Sequence, residues 1–320
     1  MIKHACSTTR VWLRCVMAAL AVSGPSPVLH AADPTIDTRI AVVYPRVREP
    51  YRSVFRSIAS GAESAVPGQV TSYEVDSDDN DQSIADLIHE QGSHAAILLG
   101  KRGLDISAAL PQETRKVVGA IFTSPSALPE RVSGISLAPA PARLFARLRE
   151  LAPAVDKVTV VYNGGDNRWL IELGQLAATD IGFEFEVIEA ADLRDAATAY
   201  RNVLRDSRSN RDAIWLLQAS SFLNENSVLQ MILREAWDRN VVVFSSNASH
   251  VPKGALFSLY PDNEALGAEL ARLAADSTIN GPELRPVNAL LTAINIRTAD
   301  HLGLGLSNSQ EQFDLVFPTR

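Results

Sequence analysis

The stretch "VTVVYNGGDN", residues 158–167, decides the fold. Val158, Val160 and Val161 suit a buried β-strand, because branched side chains fit a pleated surface. The apolar run then stops, and Tyr162, Asn163, Gly164, Gly165, Asp166 and Asn167 bring polar groups and two glycines. Beyond them Trp169, Leu170, Leu173, Leu176 and Ala177 recur at the spacing of one helix face. Strand, polar turn and helix in that order form the repeating unit of a parallel sheet covered by helices.

The unit recurs on both sides. "RIAVVYP" (39–45), "VTSYEV" (70–75), "HAAILLG" (94–100) and "KVVGAIF" (116–122) read as strands, with helical patterns near 51–62, 82–90 and 104–110 between them. After "VTVVYN" come "FEFEVIE" (183–189), "AIWLLQ" (213–218) and "VVVFSS" (241–246), with helices near 191–204 and 226–239. Two sets of four strands predict an α/β protein of two similar Rossmann-like lobes with parallel sheets, joined near "VSGISLAPAPA" (132–142). A helix at 264–275 and a strand at 287–296 are too little for a third domain. They are expected to complete both lobes, so that several chain crossings form a hinge. The expected division is lobe 1 over 36–137 plus 258–289 and lobe 2 over 138–257 plus 290–320.

Residues 1–32 read as a secretory signal peptide: Lys3, Arg10 and Arg14, then the apolar "CVMAALAV" (15–22), then small residues up to Ala32. The apolar run is about half of the roughly 20 residues needed to cross a bilayer. An uncleaved anchor is the alternative, because Arg14 interrupts the pattern. Cys6 and Cys15 both fall in this segment, so the exported chain is expected to have no thiol and no disulfide. Its removal takes away three basic residues and no acidic ones, moving the formal charge from −7 to −10. That balance disfavours nucleic acid as a partner. No later run reaches about 18 apolar residues, so a periplasmic chain not embedded in the membrane is expected.

Ligands of open parallel sheets bind beyond the carboxyl ends of the strands, where helix N–H groups are also free. The residues at those ends are Tyr44, Lys101, Ser124, Asn163, Asn167, Ser220 and Ser246, and they are the candidate ligand contacts. Each also has a plainer reading. The 163–167 run suits an ordinary turn with Asp166 or Asn167 as helix N-cap, which is compatible with a cleft wall. Lys101 suits an exposed loop, and Ser124 the start of a turn before Pro125. Ser220 with Ser221 makes a polar turn after a very apolar strand. Trp169 and Trp215 suit the core, and the stripe containing Trp237 suits packing.

Motifs for catalysis are missing. The chain has no G-x-G-x-x-G after a strand, no phosphate loop and no G-x-S-x-G elbow. His89, His94, His250 and His301 lack metal-ligand spacing. "DSDDNDQS" (76–83) lacks the glycine and closing Glu of a calcium loop, and reads as a solvated loop with a helix N-cap. No catalytic residue, metal or cofactor is expected, and the chain does not read as an enzyme.

"GALFSLYPDNEALGAELARLAADSTING" (254–281) and "NALLTAINIRTADHLGLGL" (288–306) resemble the ABC-transporter substrate-binding protein family, relatives of its aromatic-amino-acid-binding members. Gly254, Ala255, Leu256, Tyr260, Asp262, Leu266, Gly267, Gly281, Asn295, Ala299, Leu302 and Gly303 follow the family's order. "VSGIS" and "VYNGGDN" stand at two further family segments. Gly164 replaces the usual proline, "TSPSAL" stands for an Asp-Pro, and "QASSF" lacks an aspartate. The resemblance implies a type I periplasmic-binding-protein fold with a ligand between two lobes, and adds Tyr260 and Asp262 to the candidate contacts. It implies a periplasmic solute-binding protein that captures a small polar molecule, an amino acid among the candidates, and delivers it to an ABC permease. The alternatives are a ligand-sensing subunit for a membrane receptor or sensor kinase, and a secreted two-domain enzyme.

Overall fold

The computed structural model describes residues 39–218, 227–278, 282–306 and 310–319. The expected signal peptide, 1–32, lies outside them. The first part of the chain runs β1 (Ile40–Pro45), α1 (Tyr51–Ala65), β2 (Val70–Val75), α2 (Asp81–Glu90), β3 (Ala95–Leu99), α3 (Gly100–Ile106), β4 (Arg115–Ile121) and β5 (Val132–Pro139). In β1, Ile40 and Val42 face one core and Ala41 and Val43 the other, as the two-residue period of a strand requires. All four are buried, because helices cover both faces of the sheet.

The second part runs α4 (Pro141–Leu151), β6 (Lys157–Tyr162), α5 (Arg168–Ile181), β7 (Glu184–Glu189), α6 (Leu193–Asp206), β8 (Asp212–Leu216), α7 (Val228–Arg239), β9 (Val242–Ser245) and β10 (Phe257–Pro261). Val158 and Val160 pack with Phe145 and Trp215 in one core, while Val161 packs with Tyr200 and Ile232 in the other. Trp215 is fully buried and Trp169 packs against the same cluster, so both tryptophans serve the core.

The chain closes with α8 (Asn263–Ala275), β11 (Leu284–Val287), β12 (Leu290–Asn295), α9 (Ile296–His301) and β13 (Leu315–Phe317). The first sheet has the order β11-β5-β4-β3-β1-β2 and every pairing is parallel. The second has the order β13-β12-β10-β9-β8-β6-β7, in which β12 pairs antiparallel with β10. Two expectations change. "VSGISLAP" is not only a joining segment but β5, a strand inside the first sheet. The strand expected at 287–296 is β12, and a further strand, β11, precedes it and belongs to the other sheet.

The chain therefore passes between the sheets three times: after β5, between β10 and α8, and between β11 and β12. The crossings hold one another. The Ala140 N–H donates to the Val287 carbonyl at 3.0 Å, and the Asp262 N–H to the Ala289 carbonyl at 3.0 Å. α8 returns to the first sheet because it packs on α1 at backbone contact. A Cβ on Gly267 would lie 1.9 Å from the Ile58 carbonyl oxygen, and one on Gly61 1.9 Å from that of Glu264. No side chain fits at either point.

Candidate functional site

The turn after β6 is shaped by its glycines. Gly165 has φ +75°, a left-handed conformation that glycine adopts without a Cβ penalty. A Cβ on Gly164 would lie 2.6 Å from Glu189 Oε1, so its bare backbone makes room for that carboxylate. Glu189 also accepts from the Tyr162 hydroxyl at 3.1 Å, and Arg168 Nη2 stands 4.0 Å from it. Burial, reinforced by the bond to Glu189, pushes the Tyr162 hydroxyl pKa up. Asn167 occupies the N-cap position of α5 but makes no capping bond with its side chain. Its amide turns sideways instead, and Nδ2 donates to Asn163 Oδ1 at 2.9 Å.

Asp166 does not cap the helix through a side-chain bond; it reaches the other lobe. After β4 the chain forms a 3-10 turn at Pro125–Ala127, and just before it Ser124 Oγ donates to Asp166 Oδ1 at 3.0 Å. Ser126 Oγ lies 3.0 Å from the same hydroxyl. Ser124 is only 3% exposed, because the two turns close over it. Both turns follow the carboxyl ends of parallel strands, so here the carboxyl edges of the two sheets face each other. Of the expected contacts, Ser124, Asn163 and Asn167 gather at this meeting. Asp166, which the sequence offers only as a helix cap, joins them. No local signal betrays its role, since its partner stands 42 positions earlier.

The other candidates take different partners. Tyr44 stacks on Phe55 with ring centroids 6.4 Å apart and planes 10° from parallel. Lys101 is 85% exposed along its side chain and stands 3.5 Å from Asp105, one helical turn on. Ser246 Oγ accepts from the buried Trp215 Nε1 at 2.9 Å. Asp262 caps α8, accepting from the N–H groups of Glu264 and Ala265 at 3.1 Å each. Tyr260 is half-buried in β10, and burial raises its hydroxyl pKa, with Asp314 and Asp262 adding to the effect. Ser220 lies outside the described residues. The acidic loop before α2 is a solvated loop with an N-cap, as expected: Asn80 Oδ1 accepts from the Ser83 N–H, and Arg102 bonds to Asp81 and to the carbonyls of Asp76 and Asp79.

Two parallel-sheet lobes, tied by three crossings and meeting through polar turns at their carboxyl edges, define a bilobal binding protein. The profile of the family described as ABC transporter substrate binding protein matches residues 80–288, well over half of the chain, and the protein belongs to that family. Its fold is the type I periplasmic-binding-protein fold. It is similar to the ligand-free, open structure of a substrate binding protein with adhesive properties from Clostridium difficile, with TM-score 0.62 and 13% identity over 88% of this chain and 100% of that one. It also matches the ABC domain in complex with L-Trp from Streptococcus pneumonia, with TM-score 0.49 and 16% identity over 87% and 99% of the two chains. A conserved domain protein from Vibrio cholerae matches with TM-score 0.47 and 18% identity over 88% and 99%. Identities this low speak for fold alone. No curated protein matches the chain.

Proposed function

We propose that this protein captures a small polar molecule between its lobes, against the turns at 122–127 and 163–167, and delivers it to an ABC permease. The observation that carries the reading is the Ser124–Asp166 bond between facing carboxyl edges in a chain of this family. A hydrogen bond to a carboxylate contributes about 1.5–3 kcal/mol, short of the ~5.5 kcal/mol that carries a two-state equilibrium from 1:99 to 99:1. A ligand held from both sides adds contacts that exist only when the lobes approach, and shifts the population toward the closed form. An amino acid suits the chemistry: Asp166 can accept from an ammonium group, and the amides of Asn163 and Asn167 can bond either end. The reading includes export through residues 1–32 to the periplasm and the division into two lobes at the three crossings. Among the described residues no helix is long and apolar enough to cross a membrane.

The test begins with mass spectrometry of small molecules released from protein purified under mild conditions. The compound found is then titrated calorimetrically into the wild type and into Asp166→Ala and Asn163→Ala. A polar compound bound one to one, with affinity weakened on the order of tenfold by either substitution, is the expected outcome. Unchanged affinity in both variants removes this site from the proposal, and turnover of the compound moves the protein to the enzymes.

A further inference from the structure

A cavity of about 950 Å3 opens on the second lobe, within the range of small-molecule sites. Its walls include Arg234 and Trp237 from α7, Lys253 from the turn before β10, Arg297 from α9 and Phe317 from the end of β13. The lining holds three basic side chains and no acidic one. In a chain with 37 acidic and 30 basic residues, that is a local reversal of charge. Among the described residues, neither Arg234 nor Arg297 has a carboxylate within ion-pairing distance. The Arg297 guanidinium instead lies over the Trp237 ring, 5.6 Å from its centroid. Trp237 is itself fixed by His301, whose ring stacks at 3.7 Å and 9° and whose Nε2 lies 2.9 Å from the Trp237 carbonyl.

The cavity is separate from the interlobe contact. Pro252, Lys253 and Gly254 precede β10, and Asn295 ends β12 where Ile294 pairs with Phe257, the first residue of β10. These residues lie toward the amino-terminal edge of the parallel strands, and Leu229 and Gln230 line the cavity from the first turn of α7; no residue of the 122–127 or 163–167 turns lines it.

We infer that this cavity is a second binding site, for a small organic anion with a flat apolar body. Guanidinium groups pair with carboxylate, sulfonate or phosphate oxygens through two parallel bonds, and the Trp237 and Phe317 rings supply apolar surface beside them. The inference does not depend on what the interlobe turns bind.

The test uses 8-anilinonaphthalene-1-sulfonate, titrated by fluorescence into the full chain, and its uncharged relative N-phenyl-1-naphthylamine. The sulfonate is expected to bind at one saturable site, at least tenfold more tightly than the uncharged dye, and less tightly as salt rises. Arg234→Gln and Arg297→Gln, made singly and together and checked by thermal melting, are expected to weaken it about tenfold each. Asp166→Ala is expected to leave it unchanged. The inference is overturned by non-saturable binding, by equal affinity for the two dyes, by unchanged affinity in the folded arginine variants, or by loss of binding in Asp166→Ala. If the double variant does not fold, the single variants decide.

Discussion

Ser124 and Asp166 bond across the facing turns of the two lobes, and the interaction can be measured by itself. Ser124→Ala, Asp166→Ala and the double variant form a thermodynamic cycle, read as the distance between dyes placed on the two lobes. A coupling of about 1.5–3 kcal/mol favouring the closed form is expected, and a coupling of zero would mean that the contact does not contribute to closure. Asn167→Ala should act differently. Asn167 is buried and its amide donates to Asn163, so truncation leaves a polar partner short and should lower ligand-free stability by about 1–3 kcal/mol in denaturant melts. Tyr200 makes the contrary case. It is fully buried, its hydroxyl has no partner among the described residues, and burial pushes its pKa well up. The folded state therefore keeps the proton that the unfolded chain releases near the ordinary tyrosine pKa of about 10, so stability falls as pH rises beyond that value. Tyr200→Phe removes the hydroxyl; it should be neutral or stabilising at pH 7 and should shift the alkaline unfolding midpoint upward. An unchanged midpoint would show that another group governs the alkaline limb. At this scale the sequence showed which turns were polar, and so Ser124, Asn163 and Asn167. It did not show that Asp166 bonds across the lobes, because that depends on a partner brought near only by the whole fold.

The α1–α8 pair shows how elements decide the lobe. Each helix presents a glycine to the backbone of the other, so the two approach at van der Waals contact between main chains. Gly267→Ala would press its methyl group against the Ile58 carbonyl, and a backbone cannot step aside as a long side chain can. The helices must part, uncovering Ile58, Leu266 and Leu270. A loss of roughly 3 kcal/mol or more is expected in urea melts, against less than about 0.5 kcal/mol for an exposed substitution such as Glu264→Ala. Equal melts for the two variants would refute the close-packing account. The sequence carried this glycine only as part of an ordered "LG" in the family resemblance; its physical reason needs the partner helix. Strands were legible where apolar runs were continuous, as in Ile40–Pro45 and Ala95–Leu99. They were not legible where serine and glycine interrupt the run, as in β5, or where a strand of four residues, β11, is followed after Asn288 and Ala289 by a strand of the other sheet. Periodicity reports which residues are buried, and says nothing about which sheet buries them.

The whole molecule is interleaved, and that order of assembly has a consequence for folding. The first lobe's strands β1 to β5 are complete by Pro139, yet α8 and β11 arrive only after β10 has been laid into the second sheet. Without α8, Ile97, Leu99 and Val117 on β3 and β4, and Ile58 and Ala62 of α1, lose a covering helix, and without β11 the edge of β5 is unpaired. Burying a side chain of this size contributes about 1.5–3 kcal/mol, so uncovering several such residues costs an amount comparable with the 5–15 kcal/mol by which domains are stable. A fragment spanning 39–139 should therefore show no cooperative thermal transition. The same fragment joined by a short glycine-serine linker to 262–287 should recover one, because both crossings lie beside each other at the hinge and the linker need span only the gap between Pro139 and Asp262. A cooperative melt from 39–139 alone would mean that the first lobe is a self-sufficient domain; no transition in either form would mean that its stability comes from the second lobe.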